Sequence, residues 1–218
     1  MQINNNSHFT SIAPVTLHLL IINVILWLAA LVLQKTAHID LNYIFGLHYW
    51  KSDSFVLYQF VTYMFMHDLN YFFHIFCNMF SLWMFGSLIE RALTSKRFLI
   101  YYIACGLGAA VAQQLVWQFF SFDSYYSITV GASGAVFGIL LAFGMLFPNM
   151  KMFIIPFPFP IKAKWVVIGY GLFELYFGIS GTMGDVAHFA HLGGMLVGLA
   201  IILYWKRTGK LNRWNGFY

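Results

Sequence analysis

An all-α membrane fold of six transmembrane helices, with a large first loop on the outer side, is what this sequence predicts, and three observations carry the prediction. Of its 218 residues, 61% are hydrophobic and only 9% charged, against about a quarter charged in soluble domains. Its mean hydropathy is +0.73. Six apolar runs approach the roughly 17 to 25 residues needed to cross a hydrocarbon core about 30 Å thick. They are Val15–Leu33, Tyr71–Ile89, Phe98–Phe119, Ala132–Phe147, Trp165–Ile179 and Phe189–Trp205.

Residues 1–14 read as a short polar tail ahead of one membrane domain spanning 15–205. The first run is expected to stay as a helix, because no Lys or Arg precedes it and no small-residue cleavage site follows it. The loop from Gln34 to Asn70 is the longest connection, and its apolar stretch Phe55–Met66 is too short to span. A re-entrant or interfacial segment fits that length. Cys77 and Cys105 fall inside membrane runs and are expected to be reduced packing residues. The connection from Pro148 alternates Phe with Pro and cannot be helical throughout. The 206–218 segment is a basic tail with Trp214, Phe217 and Tyr218 suited to the interface.

A net charge of +5 would suggest nucleic acid in a soluble protein, but here its distribution excludes that reading. Arg91, Lys96, Arg97, Lys151, Lys162, Lys164, Lys206, Arg207, Lys210 and Arg213 all fall on one side of the predicted topology, with only Lys35 and Lys51 on the other. By the positive-inside rule both termini are then cytoplasmic. Asp40, Asp53, Asp68, Asp123 and Asp185 fall on the opposite face.

Within this apolar chain the stretch Gly-Ala-Ser-Gly-Ala-Val-Phe-Gly, residues 131–138, places Ser133 between glycines at the front of the fourth run. Runs two, four and six share a direction, so depths along them compare at 1.5 Å per residue. Ser133 and His191 each lie about 22 Å from the cytoplasmic end, and His74 and Asn78 about 25 and 20 Å. The i, i+4 spacing puts His74 and Asn78 on one helix face. The fourth run is also short, so the chain ahead of it must dip into the membrane, which is tolerated only beside a water-filled cavity or within protein. Gly106, Gly108, Gly131, Gly134, Gly138, Gly193, Gly194 and Gly198 would let helices three, four and six approach closely.

A serine hydroxyl becomes a nucleophile when a base within hydrogen-bond reach takes its proton, and His191 is the candidate base. The Ser133 backbone N–H, His74 and Asn78 are candidate donors to an oxyanion. Helices two, four and six carry no carboxylate at that level, so a Ser–His dyad is expected, with His191 oriented by glycine packing. Small residues also serve helix packing alone. His188, His191, His67 and His74 are metal-ligand types, but no His-Glu-x-x-His or Cys pair accompanies them, and neither metal nor cofactor is expected. Glu174, in the middle of the fifth run, reads as a satisfied structural carboxyl or a proton relay. A transporter or channel using His74, His188 and Glu174 as a polar path would call for internal symmetry, which the sequence lacks.

The motifs resemble those of rhomboid intramembrane serine proteases. Gly131, Ser133, Gly134 and Gly138 match that family's Gly-x-Ser-Gly-x-x-x-Gly motif; Ala190, His191, Gly193, Gly194 and Gly198 match its second; His74, Asn78, Met79, Gly86 and Glu90 resemble its His-x-x-x-Asn-Met helix. The resemblance implies Ser133 as nucleophile, His191 as base, and His74 and Asn78 as oxyanion donors, acting on single-pass membrane proteins in the bilayer. A rhomboid-like pseudoenzyme that binds such clients without cutting them is the alternative. Phe137 stands where many members carry a Tyr that stacks on the histidine, and Tyr58-Gln59 where many carry Trp-Arg. Helix five, with Trp165, Phe173, Tyr176 and Phe177, and the loop Ser180–Asp185 are the implied gate and cap. Short tails and this charge bias suggest a bacterial cytoplasmic membrane.

Overall fold

Pro14 opens the first helix, α1, Pro14–Ala37, where a missing N–H costs nothing and φ is already set. The computed structural model describes residues 11–120, 124–153, 159–181 and 187–211. Five further long helices follow: α2, Phe72–Leu93; α3, Ser95–Phe120; α4, Ser133–Leu146; α5, Ala163–Ser180; and α6, His188–Arg207. Four of them, α1, α2, α3 and α6, have the length and hydropathy of a full crossing. All six predicted runs are therefore helices, mostly longer than their apolar stretch. Their lengthening comes from polar and basic end residues such as Lys35 and Lys206.

The ends of the chain connections are tied by polar contacts. Glu90, buried in α2, accepts hydrogen bonds from the Val15 and Thr16 N–H groups, at 3.0 and 2.8 Å, and from the Thr16 and Ser95 hydroxyls, at 2.8 and 2.6 Å. A carboxylate thus satisfies the otherwise orphaned donors at the start of α1, at the positive end of its dipole. Arg91 reaches the Ser11 carbonyl and Arg97 the Lys210 carbonyl. These contacts bring the start of α1, the α2–α3 connection and the end of α6 together at one end of the bundle. Between Ser81 and Ser87, α2 carries a π turn, Leu82–Gly86, where Gly86 lies against Thr16 of α1.

At the other end, the long first loop lies against α3. Its strand β1, Leu47–His48, pairs antiparallel with β2, Ile128–Thr129, just ahead of α4. Gln114 of α3, fully buried, donates to the His48 carbonyl at 2.7 Å and accepts from the Trp50 N–H at 2.9 Å. The apolar stretch Phe55–Met66 forms a short helix, Gln59–Thr62, and a 3₁₀ turn, Tyr63–Phe65. One face of it is buried, with Tyr63 and Met64 nearly inaccessible, while Val56, Leu57, Tyr58 and Val61 are exposed. Gln59 organises this loop: its side chain donates to the Ile44 and Ser54 carbonyls and accepts from the Val56 N–H. Beyond α4 a second two-residue pair, β3, Lys151–Met152, and β4, Ile161–Lys162, makes the expected non-helical connection. Its centre, like Asp123, most of the Ser180–Asp185 loop including Asp185, and the tail beyond Leu211, lies outside the described residues.

Helices α3, α4 and α6 form the centre, and the glycines explain how close they come. A Cβ on Gly134 would collide with Ala109 of α3, one on Gly138 would lie 2.5 Å from Cys105 Sγ, and one on Gly194 would enter the Gly134 carbonyl. Gly193 and Gly108 face each other's helices in the same way. Gly106 and Gly131 depart from the sequence expectation: Gly106 makes room for Met64 of the outer loop, and Gly131, ahead of α4, for His74 of α2. Both cysteines are free thiols, Cys105 buried and Cys77 exposed.

Replacing Glu90 with alanine strands several donors at the start of α1. Thermal unfolding in detergent is expected to show a loss of about 3 kcal/mol, and of about 1 kcal/mol for Ser95→Ala, which removes one hydrogen bond.

Candidate functional site

Ser133 is the first residue of α4, half-buried, and its Oγ lies 2.8 Å from Nε2 of His191 on α6. The preceding turn presents it. Gly131 has φ of +129°, a conformation open to glycine, and its N–H donates to the Tyr63 carbonyl at 2.9 Å. Tyr63 in turn donates through its hydroxyl to the Gly106 carbonyl of α3 at 2.7 Å. The chain ahead of α4 is therefore irregular backbone whose Gly131 N–H is met inside the protein, as a start below the membrane surface would require.

His74, near the start of α2, faces the same turn. A Cβ on Gly131 would lie 2.7 Å from His74 Nε2 and 3.7 Å from Ser133 Oγ. The Asp68 N–H points at His74 Nδ1, at 3.3 Å, so Nδ1 accepts and the neutral ring carries its proton on Nε2, the nitrogen turned toward Gly131. Asp68 also accepts from the Asn70 and Tyr71 N–H groups, and its carbonyl accepts from Trp27 of α1. Asn78 is buried one turn further along and gives one of its two N–H groups to the His74 carbonyl, at 2.9 Å. Of the four residues that counting places at one level, Ser133 and His191 touch directly, His74 faces the turn just ahead of Ser133, and Asn78 bonds the His74 carbonyl. His67, in the loop before α2, lies beside His74 with ring centroids 5.3 Å apart and planes tilted by 58°. Burial, reinforced by the neighbouring His74, pushes its imidazole down to about 3, so it contributes a neutral ring.

Phe137 stacks on the His191 ring, with centroids 4.3 Å apart and planes within 9°. It fills the stacking position, as its sequence place suggests. On the other edge of the ring the structure corrects the sequence reading. His191 is not oriented by glycine packing alone: Glu174 of α5 places Oε2 2.9 Å from His191 Nδ1 and 2.7 Å from His188 Nδ1. As a carboxylate Oε2 can only accept, so both Nδ1 atoms donate, and His191 Nε2 is left with its lone pair toward the Ser133 hydroxyl. Sequence reasoning named Glu174 but left it out of the site because α5 runs opposite to the helices compared.

Glu174, His188 and His191 are also residue types that hold metals, with one ligand atom from each within 4.8 Å of the others. Donors around a tetrahedral zinc ion lie roughly 3.3 Å apart, whereas both N···O distances here have hydrogen-bond length.

Comparison with known proteins supplies a family. The model for the Rhomboid domain matches residues 54–208. Rhomboid protein 1, mitochondrial, of Saccharomyces cerevisiae is 32% identical over 145 residues, covering 65% of this chain and 40% of the relative. Rhomboid protease GluP of Bacillus subtilis is 33% identical over 126 residues, 57% of this chain and 22% of the relative. Rhomboid protease AarA of Providencia stuartii is 29% identical over 140 residues, 59% and 49%. The chain thus spans about half or less of the length of these relatives. They include mitochondrial and bacterial proteins, so the bacterial membrane expected from the short tails does not follow from the family.

Gly131→Ala is expected to cost about 1–3 kcal/mol in thermal unfolding, from positive φ and the contact with His74. Gly169→Ala, at a helical site on α5 with no neighbour within 4 Å, is expected to be neutral or to stabilise by under about 1 kcal/mol.

Proposed function

Because the chain belongs to the rhomboid family, we propose that it is an intramembrane serine endopeptidase in which Ser133 is the nucleophile and His191 the general base and acid. The observation that carries this reading is the 2.8 Å contact between Ser133 Oγ and His191 Nε2, made inside an apolar helical body where ionisable side chains are costly and functional by default. A pseudoenzyme would be expected to lack one of the two partners.

In the proposed reaction His191 Nε2 takes the hydroxyl proton as Ser133 Oγ attacks the scissile carbonyl, and the carbonyl oxygen becomes an oxyanion. The Ser133 backbone N–H, unpaired at the start of α4 like the first donors of any helix, is one candidate stabiliser. His74 Nε2–H and the second N–H of Asn78 are the others. His191 then returns its proton to the leaving amine, freeing the first product and an acyl-enzyme. Water, deprotonated by the same nitrogen, releases the second. No cofactor is required for these steps.

Substrates of this site are single-pass membrane proteins. A peptide bond within a transmembrane helix has its carbonyl hydrogen-bonded and out of reach, so the segment must unwind at small or helix-breaking residues before attack. α5 suits lateral entry: Trp165, Phe173 and Tyr176 face outward, and beyond Val167 it buries only Glu174.

Purified protein incubated with a model single-pass substrate tests the reading. Ser133→Ala and His191→Ala should each lower cleavage by at least about 10³-fold, and a fluorophosphonate should label Ser133 in the unmodified protein but not in His191→Ala. Undiminished cleavage by Ser133→Ala would overturn it.

A further inference from the structure

We infer that Glu174 is a positioning residue for His191, so that a carboxylate carried by α5 holds the base in the one tautomer able to accept the serine proton. The inference rests on the protease reading above and adds a third side chain to it. Three observations converge. Glu174 is 4% exposed and His191 8%, so their 2.9 Å contact is shielded from water. His188, one turn before His191 on the same helix face, donates to the same oxygen at 2.7 Å and fixes the carboxylate from a second direction. The opposite nitrogen of His191 meets Ser133 Oγ at 2.8 Å, giving a continuous chain from Oε2 to Oγ.

The proton bookkeeping is closed. When Ser133 attacks, its proton moves from Oγ to His191 Nε2; the Nδ1 proton stays on the ring and remains donated to Glu174. The ring becomes an imidazolium beside a carboxylate, and the proton leaves again from Nε2 to the amine. Glu174 takes no proton at any step and touches no reacting atom. Its effect is to exclude the tautomer with the proton on Nε2, which would point a donor at Ser133, and to offset the ring charge while it exists.

A structural reading also exists, in which Glu174 merely latches α5 to α6. The two separate on Glu174→Gln. The amide can donate to Nδ1 and so favour the wrong tautomer while preserving shape and the contact with α6. Positioning predicts that fluorophosphonate labelling of Ser133, which needs no substrate entry, slows by about 10²–10⁴-fold, that kcat for a membrane substrate falls alike with KM within about threefold, and that the melting temperature moves little. Labelling within about threefold of the unmodified rate would overturn it, whatever happens to stability. Should the variant fail to fold, proton-nitrogen spectra of the unmodified protein with labelled histidine decide: a proton on His191 Nδ1 in a strong hydrogen bond is required, and a ring protonated only on Nε2 overturns the inference. Labelling should be indifferent to a chelator; loss on chelation, restored by zinc, would assign the three side chains to a metal and overturn it too. If the unmodified protein is never labelled at Ser133, the protease reading fails, and the spectra still test the His191 tautomer.

Discussion

The contact between Gly194 of α6 and Gly134 of α4 is the constraint on which the site depends. A single methyl group on Gly194 would enter the Gly134 carbonyl, so the two backbones are in direct contact with no room for a side chain between them. Ser133 adjoins Gly134, and His191 lies three residues, nearly one turn, before Gly194. The distance from hydroxyl to imidazole is therefore set by backbone approach rather than by long flexible side chains. In lipid, where apolar surfaces gain nothing by leaving the solvent, such packing is also what holds helices together. One device thus supplies both cohesion and the 2.8 Å geometry.

A second constraint follows from the depth of Ser133. An α4 that starts below the surface, as residue counting places it, would leave the preceding strand inside the membrane, where hydrocarbon offers no hydrogen-bond partners. The first loop supplies them: β1 pairs with β2, and Tyr63 takes the Gly131 N–H. That loop is in turn fixed to α3 by Gln114 and within itself by Gln59. A long outer loop is thus a structural complement of a short fourth helix, and together they present Gly131 to His74.

Much of this was legible in the sequence, because lipid imposes simple rules. Apolar runs had to become helices, and helices two, four and six share a direction, so counting residues placed Ser133, His191, His74 and Asn78 at one level. Glu174 escaped because α5 runs the other way. Measured from Lys164 it sits about 15 Å up, against about 22 Å for His191, a gap closed by the length of its side chain and by helix tilt. The signal was present all the same: a carboxylate in the middle of an apolar run must find donors, and two histidines at i, i+3 on the next helix offer them. Gln59, Gln114 and Asp68 left no such trace, since their partners are backbone groups specified by loop conformation and not by residue type.

The placement of Glu174 on α5 carries a mechanical consequence. Beyond Val167 this helix buries no other side chain; its outer half meets α6 through one carboxylate shared between two imidazoles, the Phe177 ring over His188 and the approach of Gly178 to Phe189. A helix with so few buried side chains in that half suits the sideways displacement that lateral entry of a substrate requires. Displacement would also draw the acceptor away from His191 Nδ1 and leave its tautomer unconstrained. On the reading proposed here, the base is therefore fully aligned only when α5 is seated, and an open gate and a competent Ser133–His191 pair exclude one another. Attack on a peptide bond would then wait until the helix has closed against the substrate, which keeps the nucleophile quiet while the site is open to lipid.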